Sequence, residues 1–298
     1  MLAFAAVVAF LVFVAQAFAG KVTVPAGIPL FGAFTLRYYS LALLGGVLGG
    51  LYITRRRIAR FGMSEDHLWD LVSWGILFGL IGARGGYVLQ NLDYFSAHPA
   101  EIVGITPAGF AGIQGLSIHG ALLALLVYAI LFQMWRKYSW RSVGDLCVPG
   151  IALGQAIGRW GNFFNQELYG YPTNVPWKMY VDEAHRLPEY AGQAFFHPAF
   201  LYESLWDFGT FAALLYVERK AKLRPGGLMF SYGVLYGFGR LLVEYVRIEP
   251  RILMGHSMAQ IVSLVFIVVW GLFLAFNEWA GHRTADETRA QMSEPEHR

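Results

Sequence analysis

The chain runs to 298 residues, of which 56% are hydrophobic and only 14% charged, with a net charge of +3 and a mean hydropathy of +0.44. A water-soluble domain carries roughly 25% charged residues, and disorder needs low hydrophobicity with high charge, so both classes are excluded. The single cysteine, Cys147, excludes an intrachain disulfide framework and any cysteine-cluster metal site.

A helix needs about 20 mainly apolar residues to cross the hydrocarbon core of a bilayer. In chain order, such segments are expected at roughly 2–19, 36–54, 68–90, 117–134, 145–163, 198–217, 228–247 and 257–276. They predict an all-α, polytopic transmembrane helical bundle, with seven core spans plus an extra N-terminal hydrophobic helix. Continuous apolar runs such as Ala121–Phe132 do not alternate as the strands of a membrane β-barrel would. The first segment ends in Ala17-Phe18-Ala19, which resembles a signal-peptidase site, yet no Lys or Arg precedes it. It is read as a retained helix, with cleavage as the alternative. No internal repeat is evident.

Basic residues cluster at Thr54–Arg60, Trp135–Arg141 and Glu218–Arg224 and in the tail, which together hold fourteen of the 23 Lys and Arg residues. These loops fall on one side of the predicted spans, which the positive-inside rule makes cytoplasmic. The long connections 91–116 and 164–197 then face the extracytoplasmic side. Residues 1–281 are expected to form one integral membrane domain, and 282–298 a polar, disordered cytoplasmic tail.

Four of the remaining nine cations, Arg84, Arg159, Arg240 and Arg247, lie within or at the ends of apolar spans. An arginine at the bilayer centre costs about 2.5–3.5 kcal/mol on insertion scales, so each needs a partner or a wet cavity. In chain order, His119 in LSIHGA opens a long apolar helix and is either a structural residue or a general base. GRWGNFFNQELYG, residues 158–170, packs Arg159, Asn162, Asn165 and Glu167 between glycines, more polarity than a helix end requires. His197 and Glu203 in HPAFLYE either bind a ligand or anchor the next helix at the interface. In SYGVLYGFGRLLVEYVR, Tyr236, Arg240, Glu244 and Arg247 fall within a stripe of roughly 80° on one helix face. That stripe is either an internal ion-pair ladder or a cationic wall for an anion, with an excess of one positive charge. The planar fork of arginine suits phosphate oxygens. All these groups sit near extracytoplasmic helix ends, so a nucleotide or nucleic acid is a poor fit, and neither a phosphate-binding loop nor a metal motif is present.

GRWGNFFNQELYG resembles the signature of the prolipoprotein diacylglyceryl transferase family, with Gly158, Arg159, Gly161, Asn162, Phe163, Asn165, Glu167 and Gly170 in place. LRYYS around Tyr39, GARGGYVL around Arg84, LSIHG at His119, HPAFLYE at His197 and the helix carrying Tyr236, Arg240, Glu244 and Arg247 agree in order and spacing. The resemblance covers about residues 30–276. It departs at Ala121, at Tyr39-Ser40 and at the IEPR that follows Arg247, where the family pattern has a glycine, a Tyr-Gly pair and a Pro-Asp pair. None of these removes a charged motif residue.

The resemblance implies transfer of the diacylglyceryl group of phosphatidylglycerol to the lipobox cysteine thiol of a prolipoprotein signal peptide, releasing glycerol phosphate. It implies a bacterial cytoplasmic (inner) membrane enzyme whose active site faces outward, with a cytoplasmic C-terminus and no cofactor or metal. His119, Arg159, Arg240 and Glu244 are then the expected catalytic residues. Tyr39, Arg84, Arg159, Asn162, Asn165, Glu167, Gly170, His197, Tyr236, Arg240 and Arg247 are the expected contacts to phosphatidylglycerol. The rival readings are a transporter or flippase for an anionic lipid or solute, and a non-catalytic membrane scaffold.

Overall fold

The computed structural model describes residues 2–31, 34–107, 109–110, 112–113, 115–250 and 255–293. Its helices are α1 (Leu2–Phe18), α2 (Tyr38–Arg55), α3 (Glu65–Gln90), α4 (Leu92–Ala97), α5 (Ile118–Arg136), α6 (Trp140–Gly158), α7 (Trp160–Asn165), α8 (Ala199–Lys220), α9 (Gly227–Glu244) and α10 (Met258–Ser293). Three short antiparallel hairpins accompany them: β1 (Gly27–Phe31) with β2 (Phe34–Arg37), β3 (Ile105–Thr106) with β4 (Gly109–Phe110), and β5 (Met179–Tyr180) with β6 (Phe195–Phe196). The chain divides into two compact units, Met1–Thr54 with Gly144–Arg298, and Arg55–Val143.

An all-α membrane protein fits this structure. Glu65–Gln90, Ile118–Arg136 and Met258–Ala280 are long and apolar enough to cross a bilayer. Their large side chains face outward, among them Leu80, Ile81, Leu123, Leu126, Val268 and Leu272. In water such a girdle would be an aggregation surface; in lipid it is solvated. Helices α2, α6, α8 and α9 run 18, 19, 22 and 18 residues, but their inner faces carry glycine or ionisable groups that lower their mean hydropathy.

In the second unit, Ser64 caps α3 by accepting from the His67 amide at 3.2 Å, and Glu65 and Asp66 complement the helix dipole. Arg136 at the end of α5 pairs with Asp70 of α3. In the first unit, α2 and α6 touch backbone to backbone, since a Cβ on Gly150 would lie 2.5 Å from the Gly50 carbonyl oxygen. This is the small-residue contact that draws membrane helices together. Asp145 of α6 accepts from the amides of Gly226 and Met229 at 2.6 and 2.8 Å, supplying the N-terminal cap that α9 lacks in its own sequence.

The segment 166–197 is folded down on an aromatic core. Phe163, Tyr169, Met179, Val181, Phe196 and Phe200 are buried together with Ala17 of α1, and Phe13, Val14 and Phe18 pack against them. The first hydrophobic segment therefore contributes to the same core as the 166–197 segment.

Candidate active site

Arg159 stands at the joint between α6 and α7, Glu203 lies in α8, and α9 presents Arg240 and Glu244 one turn apart. Glu203 is the hub. Its Oε2 lies 2.9 Å from Arg159 Nη1, and its Oε1 lies 3.5 Å from Arg240 Nη1 and 3.3 Å from Arg247 Nη1. Arg240 Nη1 is also 2.7 Å from Glu244 Oε2, and Arg247 Nη2 is 3.0 Å from Glu249 Oε1. Glu244 is fully buried and accepts from the Ser257 hydroxyl at 2.6 Å through Oε1. Buried ions persist only when paired, and this cluster pairs every arginine by sharing carboxylates, with Arg240 Nη1 and Glu244 Oε2 held by charge alone and not by a hydrogen bond. The side chains of Arg159 and Arg240 keep 24% and 19% exposure, while that of Arg247 keeps 8%. The first two retain a face for a ligand anion; Arg247 is occupied in holding Glu203.

The expected continuous stripe through residue 247 is not how Arg247 arrives. Helix α9 stops at Glu244, where the amides of Tyr245 and Val246 turn back to the carbonyls of Leu242 and Val243. The chain then forms a bridge between Gly170 and Arg247, so a turn, not helical phase, brings Arg247 to Glu203. The same bridge explains Gly170. Its amide donates to the His197 carbonyl at 2.9 Å, the Tyr171 amide donates to the Val246 carbonyl at 2.7 Å, and a Cβ at residue 170 would lie 2.4 Å from Val246 O. The end of the glycine-rich motif, the start of α8 and the end of α9 are thus laced together through backbone.

Within that motif Asn162 and Asn165 donate to Glu167 Oε1 at 2.9 and 3.3 Å. Glu167 stands between two non-glycine residues in the left-handed region, Gln166 (φ 49°) and Leu168 (φ 53°). Gln166 holds its conformation by a reciprocal clamp, donating to Asp182 Oδ2 at 2.5 Å and accepting from the Asp182 amide at 2.6 Å. Strain held in this way often marks a functional loop. Tyr39 packs its ring over Gly161, where a Cβ would lie 2.8 Å from Tyr39 Cδ2. The Tyr202 hydroxyl lies 2.8 Å from the Trp177 indole nitrogen, which donates to it, and 3.0 Å from His197 Nδ1. Burial pushes the His197 imidazole below its ordinary pKa.

Arg159, Glu203, Asp207, Tyr236 and Arg240 line one narrow cleft. Glu203 and Asp207 are the residues that sequence reading undervalued. The sequence leaves Glu203 open between ligand binding and helix anchoring, and Asp207 stands in no motif. The signal was present: two carboxylates four residues apart share one face of an otherwise apolar helix, and an ionisable residue in such a helix is functional by default.

Arg84 and His119 belong to the other unit. Arg84 is buried, and its guanidinium donates to the carbonyls of Ile102, Glu101 and Gly115 at 2.8, 2.5 and 3.2 Å, tying those three residues to α3. His119 is exposed in the first turn of α5, two residues after the cap Ser117.

Residues 25–276 match the family model described as prolipoprotein diacylglyceryl transferase. A phosphatidylglycerol–prolipoprotein diacylglyceryl transferase of Fervidobacterium nodosum is 38% identical over 89% of this chain and 89% of its own length. One from Gloeobacter violaceus is 40% identical over 85% of this chain and 92% of its own, and one from Thermotoga petrophila 36% identical over 87% and 86%. The chain belongs to the prolipoprotein diacylglyceryl transferase family. It is accordingly a transferase, and the matched span contains Arg159, Arg240 and Arg247 of the buried ion cluster. What family membership does not itself explain is the arrangement of that cluster around Glu203, which comes from the crossing of α6, α8 and α9.

Proposed function

We propose that this prolipoprotein diacylglyceryl transferase family member moves the diacylglyceryl group of phosphatidylglycerol onto the lipobox cysteine thiol of a prolipoprotein, the first step of lipoprotein maturation. The observation that carries this reading is the pair of partly exposed arginines, Arg159 and Arg240, held by one buried glutamate over a common cleft. Phosphatidylglycerol presents one phosphate anion, and that phosphate stays with the leaving group. Cations fixed beforehand where negative charge accumulates are the largest single source of rate acceleration in such sites.

In the proposed step the thiolate sulfur attacks the terminal glyceryl carbon of the diacylglyceryl group and an S–C bond forms. The C–O bond to phosphate breaks, its electron pair passes to the phosphate oxygen, and glycerol phosphate departs. A free thiol has a pKa near 8.5 and is mostly protonated at neutral pH, so it needs a base or an electropositive setting. His119 is assigned the base role. Arg159 and Arg240 take the phosphate, Glu244 and Arg247 orient Arg240, and Tyr236 reaches the phosphate from α9. Asn162, Asn165, Glu167 and Tyr39 orient the glycerol headgroup, His197 closes the loop beside it, and Arg84 and Gly170 support the backbone segments involved.

The topology assigned with this function has seven core spans and an extra N-terminal helix in a bacterial inner membrane. It forms a single membrane domain with the active site facing outward and the tail after 281 cytoplasmic. The basic loops at 54–60, 135–141 and 218–224 support that orientation.

Purified protein in phosphatidylglycerol nanodiscs with a lipobox peptide tests the reading, with the thioether product read by mass. Arg159→Ala and Arg240→Ala are expected to lower turnover on the order of 10²-fold or more. Wild-type turnover by Arg240→Ala at matched expression would remove the phosphate assignment, and full activity of His119→Gln would remove the base.

A further inference from the structure

Asp207 lies on α8 one turn beyond Glu203, 6% exposed. Its Oδ2 is buried and accepts no hydrogen bond among the described residues; Glu244 Oε2 shares that state but is ion-paired with Arg240, whereas Asp207 only shares the cleft with Arg159, Tyr236 and Arg240. The arginines do not require it, because Arg159, Arg240 and Arg247 are already matched by Glu203, Glu244 and Glu249. The neighbouring polar groups are likewise engaged with each other: the Tyr232 hydroxyl donates to Gln155 Oε1 at 2.7 Å, and the Ser204 hydroxyl to the Ala156 carbonyl at 2.7 Å. An additional carboxylate in an anion-binding cleft works against the anion unless the same ligand brings a hydrogen-bond donor. A carboxyl oxygen accepts hydrogen bonds, and leaving a buried acceptor unmatched is costly. Asp207 lines the same cleft as Arg159 and Arg240, so a headgroup held there by its phosphate lies beside the carboxyl.

We propose that Asp207 is the hydroxyl-accepting residue of the donor-lipid site, taking a hydrogen bond from one hydroxyl of the glycerol headgroup while Arg159 and Arg240 hold its phosphate. This rests on phosphatidylglycerol being the donor and adds the element that distinguishes its headgroup from a phosphate ester without hydroxyls. The other headgroup hydroxyl remains for the Asn162–Glu167 group.

Binding of glycerol phosphate and of propyl phosphate to the purified full chain provides the test, since the two ligands differ only in hydroxyls. A hydrogen bond to a charged group corresponds to a preference of roughly 10- to 100-fold for glycerol phosphate in the wild type. Asp207→Ala is expected to cut the preference for glycerol phosphate by roughly tenfold or more without weakening the binding of propyl phosphate. Asp207→Asn, which keeps the shape and an acceptor oxygen, is expected to fall between. An equal loss for both ligands, as when the carboxyl acts on the phosphate or merely on folding, overturns the proposal. So does a wild type that does not distinguish the ligands, a result that needs no variant; a bound water at Asp207 would produce it. A wild type that prefers glycerol phosphate yet forms no thioether from phosphatidylglycerol and a lipobox peptide would refute the transfer reading and leave the hydroxyl site standing.

Discussion

Glu203→Gln isolates the charge at the centre of the cluster. The substitution keeps the side chain's size and removes the negative charge that faces Arg159, Arg240 and Arg247 at 2.9, 3.5 and 3.3 Å. Removing one member of a buried pair costs about 3–5 kcal/mol, because the partner charge stays behind. Here Arg159 and Arg240 are 24% and 19% exposed, so solvent screens part of the loss, and the lower end, about 3 kcal/mol, is the expected cost. At about 2–4 °C per kcal/mol for a chain of this size, the unfolding midpoint in detergent falls by roughly 6–12 °C. A bound anion restores part of that. Ligand at a hundredfold excess over its Kd adds about 2.7 kcal/mol to the folded state, and the variant offers phosphate three arginines with one fewer competing carboxylate. The assay is a tryptophan-fluorescence thermal scan in phosphate and in chloride at equal ionic strength, which holds general screening constant. A Glu203→Gln midpoint within about 2 °C of wild type in chloride, or an equal phosphate shift in both proteins, would refute the reasoning.

Three further outcomes are expected. Gly170→Ala places a methyl 2.4 Å from the Val246 carbonyl oxygen; overpacking of this kind costs about 1–3 kcal/mol, and the variant should lose transfer activity together with protease resistance of the 166–172 loop. Gln166→Gly and Gln166→Ala both lose the Asp182 clamp, but only glycine adopts the positive φ without strain, so thermal midpoints should fall in the order wild type, Gly, Ala; the order wild type, Ala, Gly would show that the left-handed conformation is unimportant. Burial lowers the pKa of His197 in the folded protein, so its stabilising contribution is complete above its unfolded pKa of about 6.5 and is lost as pH falls through that value toward the folded one. The wild-type midpoint should therefore drop more between pH 7 and pH 5 than that of His197→Gln, and parallel profiles would contradict this.

How much of this was legible in the sequence depends on whether a residue's meaning is local. The helices at 38–55, 65–90, 118–136, 199–220 and 227–244 were expected within a few residues, because lipid solvates only long apolar runs and any interruption shows in the chain itself. Arg159 and Arg240 were legible for the same reason, since a cation in an apolar helix is anomalous wherever its partner lies. Glu203 was harder to place. At the interfacial start of a helix a glutamate is unremarkable, and only the crossing of α6, α8 and α9 makes it the common partner of three arginines. Arg247 was assigned to the right cluster through the wrong geometry, because a helical repeat extrapolates smoothly past a C-cap that is set by the pairing of its backbone with Gly170. That pairing joins residues more than seventy positions apart, and no periodicity encodes it. The site therefore divides in two: the arginines proposed to bind an anion, which stand out as anomalies in the sequence, and the carboxylates and backbone bridges that hold them, which exist only once the helices have met. Asp207 belongs to the second group, which is why its role has to be argued from an unmatched buried oxygen and not from a motif.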